Sequence, residues 1–329
     1  MGKKSPLPSR LGLYGKSETA SSTLDYPPIH HQIQLRAAGG DLSQRRFSFS
    51  KWTGIEKSKA RNLTTKLKSR GGIGVNDQSN RLFNCLEKHC RLATTPVGVK
   101  LAKEGDTPGG KIKYPLSHIG NKLAVCQGMT LARTFGWTMG FRSEDHACPL
   151  PRVFMGHIDP GRLLAGTLAG YYQDDPGCME TMEASYPRWP VGAYREIWLA
   201  PLDRCRYIPD LIVVYGNPAQ VLTLIQAANF RLGSGIRSVS SGRYGCATWI
   251  AGVLKAGECT YMVPGPGERV FAGTQDHEMS FAIPYSRSDR LVEGLEYIRS
   301  KGAFRYPVPT MGLLSEPKIP AKYHEIEPD

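Results

Sequence analysis

Three cysteines in this 329-residue chain stand beside turns that could aim their side chains at one point: Cys126, Cys148 and Cys246. Cys148 precedes Pro149, and Cys246 falls at the predicted start of a helix just after Ser240-Ser241-Gly242-Arg243. Three thiolates converging in a fold make a ligand set for an iron–sulfur cluster, or for zinc with an open position. His146, two residues before Cys148, supplies a fourth donor. Two plainer readings compete. Buried cysteines often serve as small apolar side chains. Alternatively, Cys246 alone, at a helix start beside Arg243, would have the lowered pKa of a nucleophile, with His146 or His277 as its base.

A second candidate is the run Tyr215-Gly216-Asn217-Pro218-Ala219-Gln220. A strand entering a tight turn and then a helix points free N–H groups at one spot, which suits a small anionic ligand. Asn217 and Gln220 would bind it, Ser241, Gly242 and Arg243 are further ligand-binding candidates, and Asn217 or Ser241 is expected at the rim of any cavity the three cysteines share. Gly-Asn-Pro is also simply a good helix start, with Asn as N-cap and Pro at the first position. A third candidate is Thr274-Gln275-Asp276-His277-Glu278. There Asp276 and Glu278 could hold a divalent cation or do acid–base work, or could lie in a solvated loop. Cys85-x-x-x-His89-Cys90 reads as a helix face, and Cys178, Cys205 and Cys259 as structural thiols. The chain has no P-loop, Gly-x-Gly-x-x-Gly, Gly-x-Ser-x-Gly or His-Glu-x-x-His, so the commonest nucleotide and hydrolase signatures are missing.

The elements that would position these residues alternate between strand and helix. Helical spacing begins near Ser79 and includes Leu82, Cys85, Leu86 and His89. Strands are predicted around 96–101, 137–141, 194–200, 211–215, 236–240, 260–263 and 280–283, and helices around 119–135, 161–172, 176–186, 217–228, 244–256 and 286–302. Leu211-Ile212-Val213-Val214-Tyr215 is the best strand, a β-branched run expected to be buried on both faces. The predicted fold is a single α/β (or α+β) domain over residues 79–309, a mixed sheet with flanking helices, followed by an extended tail over 310–329. A weak internal echo points to two similar halves. Cys126 stands ten residues before Gly136, and Cys246 stands eleven before Gly257.

Net charge is +13, yet residues 1–75 carry 14 Lys and Arg against 4 Asp and Glu, while the rest carries 28 against 25. The folded part is therefore nearly neutral, which argues against a nucleic-acid-binding fold. No apolar run approaches the ~20 residues that a membrane helix needs. Eight cysteines without a signal sequence or a Cys-x-x-Cys pair predict a cytoplasmic chain with free thiols.

Four segments, Ser143–Pro149 (SEDHACP), Leu211–Gln226 (LIVVYGNPAQVLTLIQ), Ser240–Cys246 (SSGRYGC) and Gly273–Pro284 (GTQDHEMSFAIP), carry a family resemblance. Together they resemble the domain-of-unknown-function family 169, common in archaea and anaerobic bacteria. The resemblance covers about residues 80–310 and implies a domain boundary but no activity. It leaves residues 1–75 outside, as a disordered basic leader or as the product of a mis-assigned start. Ser69-Arg70-Gly71-Gly72 can be encoded by a purine-rich ribosome-binding tract, with Val75 placed where a GTG start would follow. N-terminal sequencing of the native protein is expected to begin near residue 75, and a mature chain beginning at Met1 would overturn that start.

Overall fold

A computed structural model describes residues 77–161, 173–238, 240, 242–243, 245–302 and 323. The basic leader, residues 162–172 of one expected helix, Ser241, and the extended tail apart from Tyr323 lie outside the described residues. Six strands form one sheet: β1 (Val97–Ala102), β2 (Met139–Arg142), β3 (Glu196–Pro201), β4 (Leu211–Gly216), β5 (Thr260–Met262) and β6 (Met279–Pro284). Their order is β2-β3-β1-β4-β6-β5, and every ladder between them is antiparallel. The expected α/β layering is present. Parallel pairing is confined to two isolated bridges, Lys113 with Met139 and Leu123 with His146, so the α+β form describes it best.

Both sheet faces are covered, which explains the continuous apolar run in β4. Ile212 and Val214 face one way, into a core shared with α1 (Asp77–Cys90), α6 (Pro218–Ala228) and α9 (Ser288–Lys301). Leu211, Val213 and Tyr215 face the other way, toward α3 (Val125–Phe135) and the helical run 245–256. The two-residue period of a strand divides the segment between two cores. The remaining helices are α2 (Pro115–Ile119), α4 (Pro149–Phe154), α5 (Pro176–Ser185), α7 (Val253–Ala256) and α8 (Pro266–Val270).

The echo seen in the sequence is a structural repeat. β1, α3, β2, β3 and β4, 245–256, β5, β6 follow the same path, and the two sets meet at the β1–β4 ladder. That ladder pairs Val97 with Val213, Gly98 with Ile212 and Val99 with Leu211, a register symmetric about the middle pair. The first residue of each central strand pairs with the terminal proline of its neighbour, Val97 with Pro201 and Leu211 with Pro284. Just beyond, Leu202 N–H donates to Pro96 O at 2.8 Å and Tyr285 N–H to Asp210 O at 2.9 Å. Each helix ends on a left-handed glycine, Gly136 at φ 71° and Gly257 at φ 64°, a conformation glycine adopts without cost. Arg204 packs on the first, where a Cβ would sit 2.8 Å from its Nη1, and Arg287 Nε donates to the carbonyl of the second at 3.0 Å.

One residue breaks the match. Residues Ala247–Gly252 form a π-turn, which accommodates an extra residue within a helix. That insertion accounts for the spacing of eleven in place of ten, and it makes Cys246 the counterpart of Cys126.

Two expectations need correction. The described residues of 236–240 (236–238 and 240) are not in a strand; side chains tie them to β5, through Ser238 Oγ to Tyr261 O and Thr260 Oγ1 to Arg237 O. The helix expected over 119–135 begins only at Val125; Ile119 is instead the last residue of α2, which Gly120 caps with a left-handed φ of 83°.

Gly294 of α9 meets Ala227 of α6 so closely that a Cβ there would lie 2.1 Å from the Ala227 carbonyl oxygen. Because a backbone carbonyl in a packed helix cannot retreat, Gly294→Ala is expected to lower stability by about 1–3 kcal/mol. Gly233→Ala, where nothing lies within 4 Å, is the control. Urea midpoints check both variants.

Candidate functional site

The three cysteines come from three separate elements, and backbone hydrogen bonds join the first two of them. Cys126 lies in the first turn of α3, whose start is fixed by Gln127 Oε1 accepting from Ala124 N at 2.9 Å. The Ser143–Cys148 segment is stitched to the residues just before that helix. Leu123 N donates to Asp145 O at 3.0 Å, and Ala147 N donates to Leu123 O at 2.8 Å. Asp145 holds the segment's own shape by accepting from Leu116 N and Arg142 N. Cys148 caps α4 immediately beyond. Cys246 enters from the second half of the repeat, at the start of the π-turn.

Glu268 of α8 lies against this neighbourhood. It is buried, accepting from Tyr215 Oη at 2.9 Å and from Gly265 N at 3.0 Å. Gly245 packs on it so tightly that a Cβ would sit 2.3 Å from Oε2, while Cys126 Sγ reaches Gly267 O at 3.8 Å. Burial raises the Glu268 pKa, against those two hydrogen bonds and the Arg133 charge.

Burial also keeps the thiols protonated. It pushes Cys126 up to about 12, with Glu268 and Cys148 adding to the rise. Cys148 is raised by burial as well. Cys246 is raised strongly, by burial first and then by Cys148, Cys126 and Glu268. Cys148 and Glu268 thus add to the rise at both Cys126 and Cys246. The rise also goes against the nucleophile expectation, because desolvation outweighs the helix start that was to lower the Cys246 pKa. Among the described residues, no group of three His, Cys, Asp or Glu is already arranged to hold a metal ion.

His146 is 3% exposed, and neither ring nitrogen has a hydrogen-bond partner. The ring nitrogens of His157, a half-buried residue whose ring centroid lies 5.3 Å away, have no hydrogen-bond partner either. Burial, then His157 and Arg152, pull the His146 pKa down to about 3, so its imidazole is neutral.

The other expected site residues are committed to structure. Asn217 Oδ1 accepts from Gln220 N at 2.9 Å, and Gln220 Oε1 accepts from Asn217 N at 2.8 Å. Gln220 Nε2 donates to the carbonyls of Cys90 and Arg91. The helix start thus closes on its own side chains. Gly242 takes φ 73°, and Arg243 directs its two Nη atoms at the sulfurs of Met179 and Met182, 3.0 and 3.1 Å away. Asp276 is exposed and pairs with Arg269 at 3.0 Å. Glu278 is buried in a two-pronged contact with Arg133, at 2.5 and 3.1 Å. Burial works to raise the Glu278 pKa, but the Arg133 hydrogen bonds and charge outweigh it and hold the pKa below the usual carboxylate range.

Sequence reasoning missed Glu268 and His157 as site residues, and placed Tyr215 only in the anion-site run. A signal existed for the first: Gly265-Pro266-Gly267-Glu268 places Pro at a helix start and Glu at its third position. Nothing in the sequence marked the buried pairing of His157 with His146.

A family model described as Uncharacterised ArCR, DUF169, matches residues 85–294. An uncharacterized protein of Methanocaldococcus jannaschii, MJ0308, is 27% identical over 209 residues, covering 62% of this chain and 87% of that protein. No solved structure matches the chain.

The raised thiols fix a pH dependence. Besides Cys126, Cys90 is pushed up to about 12 and Cys205 to about 11, each mainly by burial, from an ordinary value of 9.0. Unfolding would release these protons above pH 9.0, so the stability they contribute is complete below that value and is lost as pH rises toward 12. Urea midpoints are expected to be lower at pH 10.5 than at pH 8.5, with a smaller drop in Cys90→Ala.

Proposed function

The chain belongs to the DUF169 family, a membership that brings no activity with it, and on that footing we propose that it binds a thiophilic metal ion or an iron–sulfur cluster through Cys126, Cys148 and Cys246. One observation carries the reading. A repeated helix carries equivalent cysteines, Cys126 and Cys246, at its start in each half of the fold; Cys148 adds to the rise at both, and Cys126 to that at Cys246. A cation entering this neighbourhood displaces the thiol protons, and the helix starts favour the resulting thiolates. The ligands then close around the ion by local adjustment, for which the π-turn beside Cys246 provides a soft point. His146, neutral and without a partner, is the available nitrogen donor. Glu268 lies close enough to balance the charge.

A small anion at Asn217 and Gln220 has less support, since those side chains cap each other and the Cys90–Arg91 turn. Asp276 and Glu278 are likewise spent on Arg269 and Arg133.

Protein purified without oxygen and reconstituted separately with iron plus sulfide and with zinc tests the proposal, by metal content and visible absorbance. One reconstitution is expected to give stoichiometric metal in the native protein and in Cys178→Ala, whose cysteine is exposed. The double variant Cys126→Ala/Cys246→Ala should retain none. Metal at background level in both reconstitutions, or undiminished metal in the double variant, would overturn it.

A further inference from the structure

On the outer side of the second half, beyond β5 and away from the Cys246 end of the helical run, lies a small cleft. Arg287 and Arg290 line it together with Leu232, Ile236, Leu291 and Glu258. Its free volume is about 50 Å³, several times what one water needs and far too little for a nucleotide. The floor is apolar, and the charge is concentrated on one wall. Arg287 precedes α9 and Arg290 stands in its first turn, so the two guanidinium groups come from one side of the same helix start.

The repeat shows that these charges are uncompensated by design of the fold's second half. Arg204, the counterpart of Arg287, pairs with its neighbour Asp203 at 3.4 Å. In the second half the position of that aspartate is Ser286, and neither Arg287 nor Arg290 has a carboxylate partner among the described residues. Arg287 is nonetheless held in place, because its Nε donates to Gly257 O at 3.0 Å. A positioned guanidinium with its remaining N–H groups uncommitted is the geometry that receives a carboxylate in a forked contact.

We infer that this cleft binds a small monocarboxylate with a short apolar body. Arg287 and Arg290 take the carboxylate, and Leu232, Ile236 and Leu291 take the carbon chain. Glu258 on the rim leaves the wall with a single net positive charge, which selects one negative charge over a di- or triphosphate. The site is separate from the cysteine neighbourhood and does not rest on it.

Titration calorimetry of the full chain with butanoate, benzoate, butylamine and inorganic phosphate tests the inference. Saturable binding of at least one carboxylate, with none of butylamine, is expected. Arg290→Gln, which removes no backbone contact, should weaken it about tenfold, the scale of one charge-assisted forked contact. Arg287→Lys should weaken it also, and Cys178→Ala, at an exposed thiol, should leave it unchanged. No saturable carboxylate binding, binding of phosphate alone, or equal affinity in Arg290→Gln would overturn the inference.

Discussion

The Arg133 guanidinium joins the two halves of the fold from the inside. It belongs to α3 in the first half, yet its partners all belong to the second. Glu278 meets it in a forked contact, and the Tyr215 ring lies beneath it at 4.1 Å. Tyr215 then donates to Glu268, which carries the connection to the cysteine neighbourhood. With a side chain 3% exposed, Arg133 has little water to replace any partner it loses. Removing one member of such a pair costs about 3–5 kcal/mol, because the other charge stays buried and unmatched. The last turn of α3 is therefore anchored by a charge network that begins at the edge of β6, and Glu268 extends that network to α8, where Gly267 O meets Cys126 Sγ.

The repeat explains why Cys126 and Cys246 hold corresponding places in the two halves and why those places are not identical. A register symmetric about Gly98 and Ile212 brings α3 and the 245–256 run onto the same sheet face. The π-turn then adds one residue to the second copy only. Side chains on either side of such an insertion are turned relative to a regular helix, so Cys246 presents itself differently from Cys126. The third thiol has no counterpart in the repeat; it comes on the Ser143–Cys148 segment, held by pairing with Leu123.

Much of the fold was legible in the sequence, because its main signals are local. The run Leu211–Tyr215 reads as a doubly buried strand, and Asn217-Pro218 reads as a helix start; both are present. The ten and eleven residue spacings already contained the repeat and its inserted residue. What stayed hidden depends on partners distant in the chain. Residues 236–240 have strand-like composition, but their neighbour β5 is engaged by side chains and not by a ladder. Gln220 resembles a ligand donor until its amide is seen to support Cys90 and Arg91 on another helix's end. The Cys246 pKa was misjudged for the same reason: a helix start and a nearby arginine are visible in sequence, whereas desolvation is not.

The strand order also governs how quickly this chain can fold. Val97 pairs with Pro201 and with Val213, so the central strand waits for partners 104 and 116 residues farther along. Closing such loops costs entropy before any contact compensates, and antiparallel ladders of this separation form slowly. The second half is more local, since β5 and β6 lie within about 25 residues of each other. It can therefore act as the template on which the first half docks, with the β1–β4 ladder as the last seam to close.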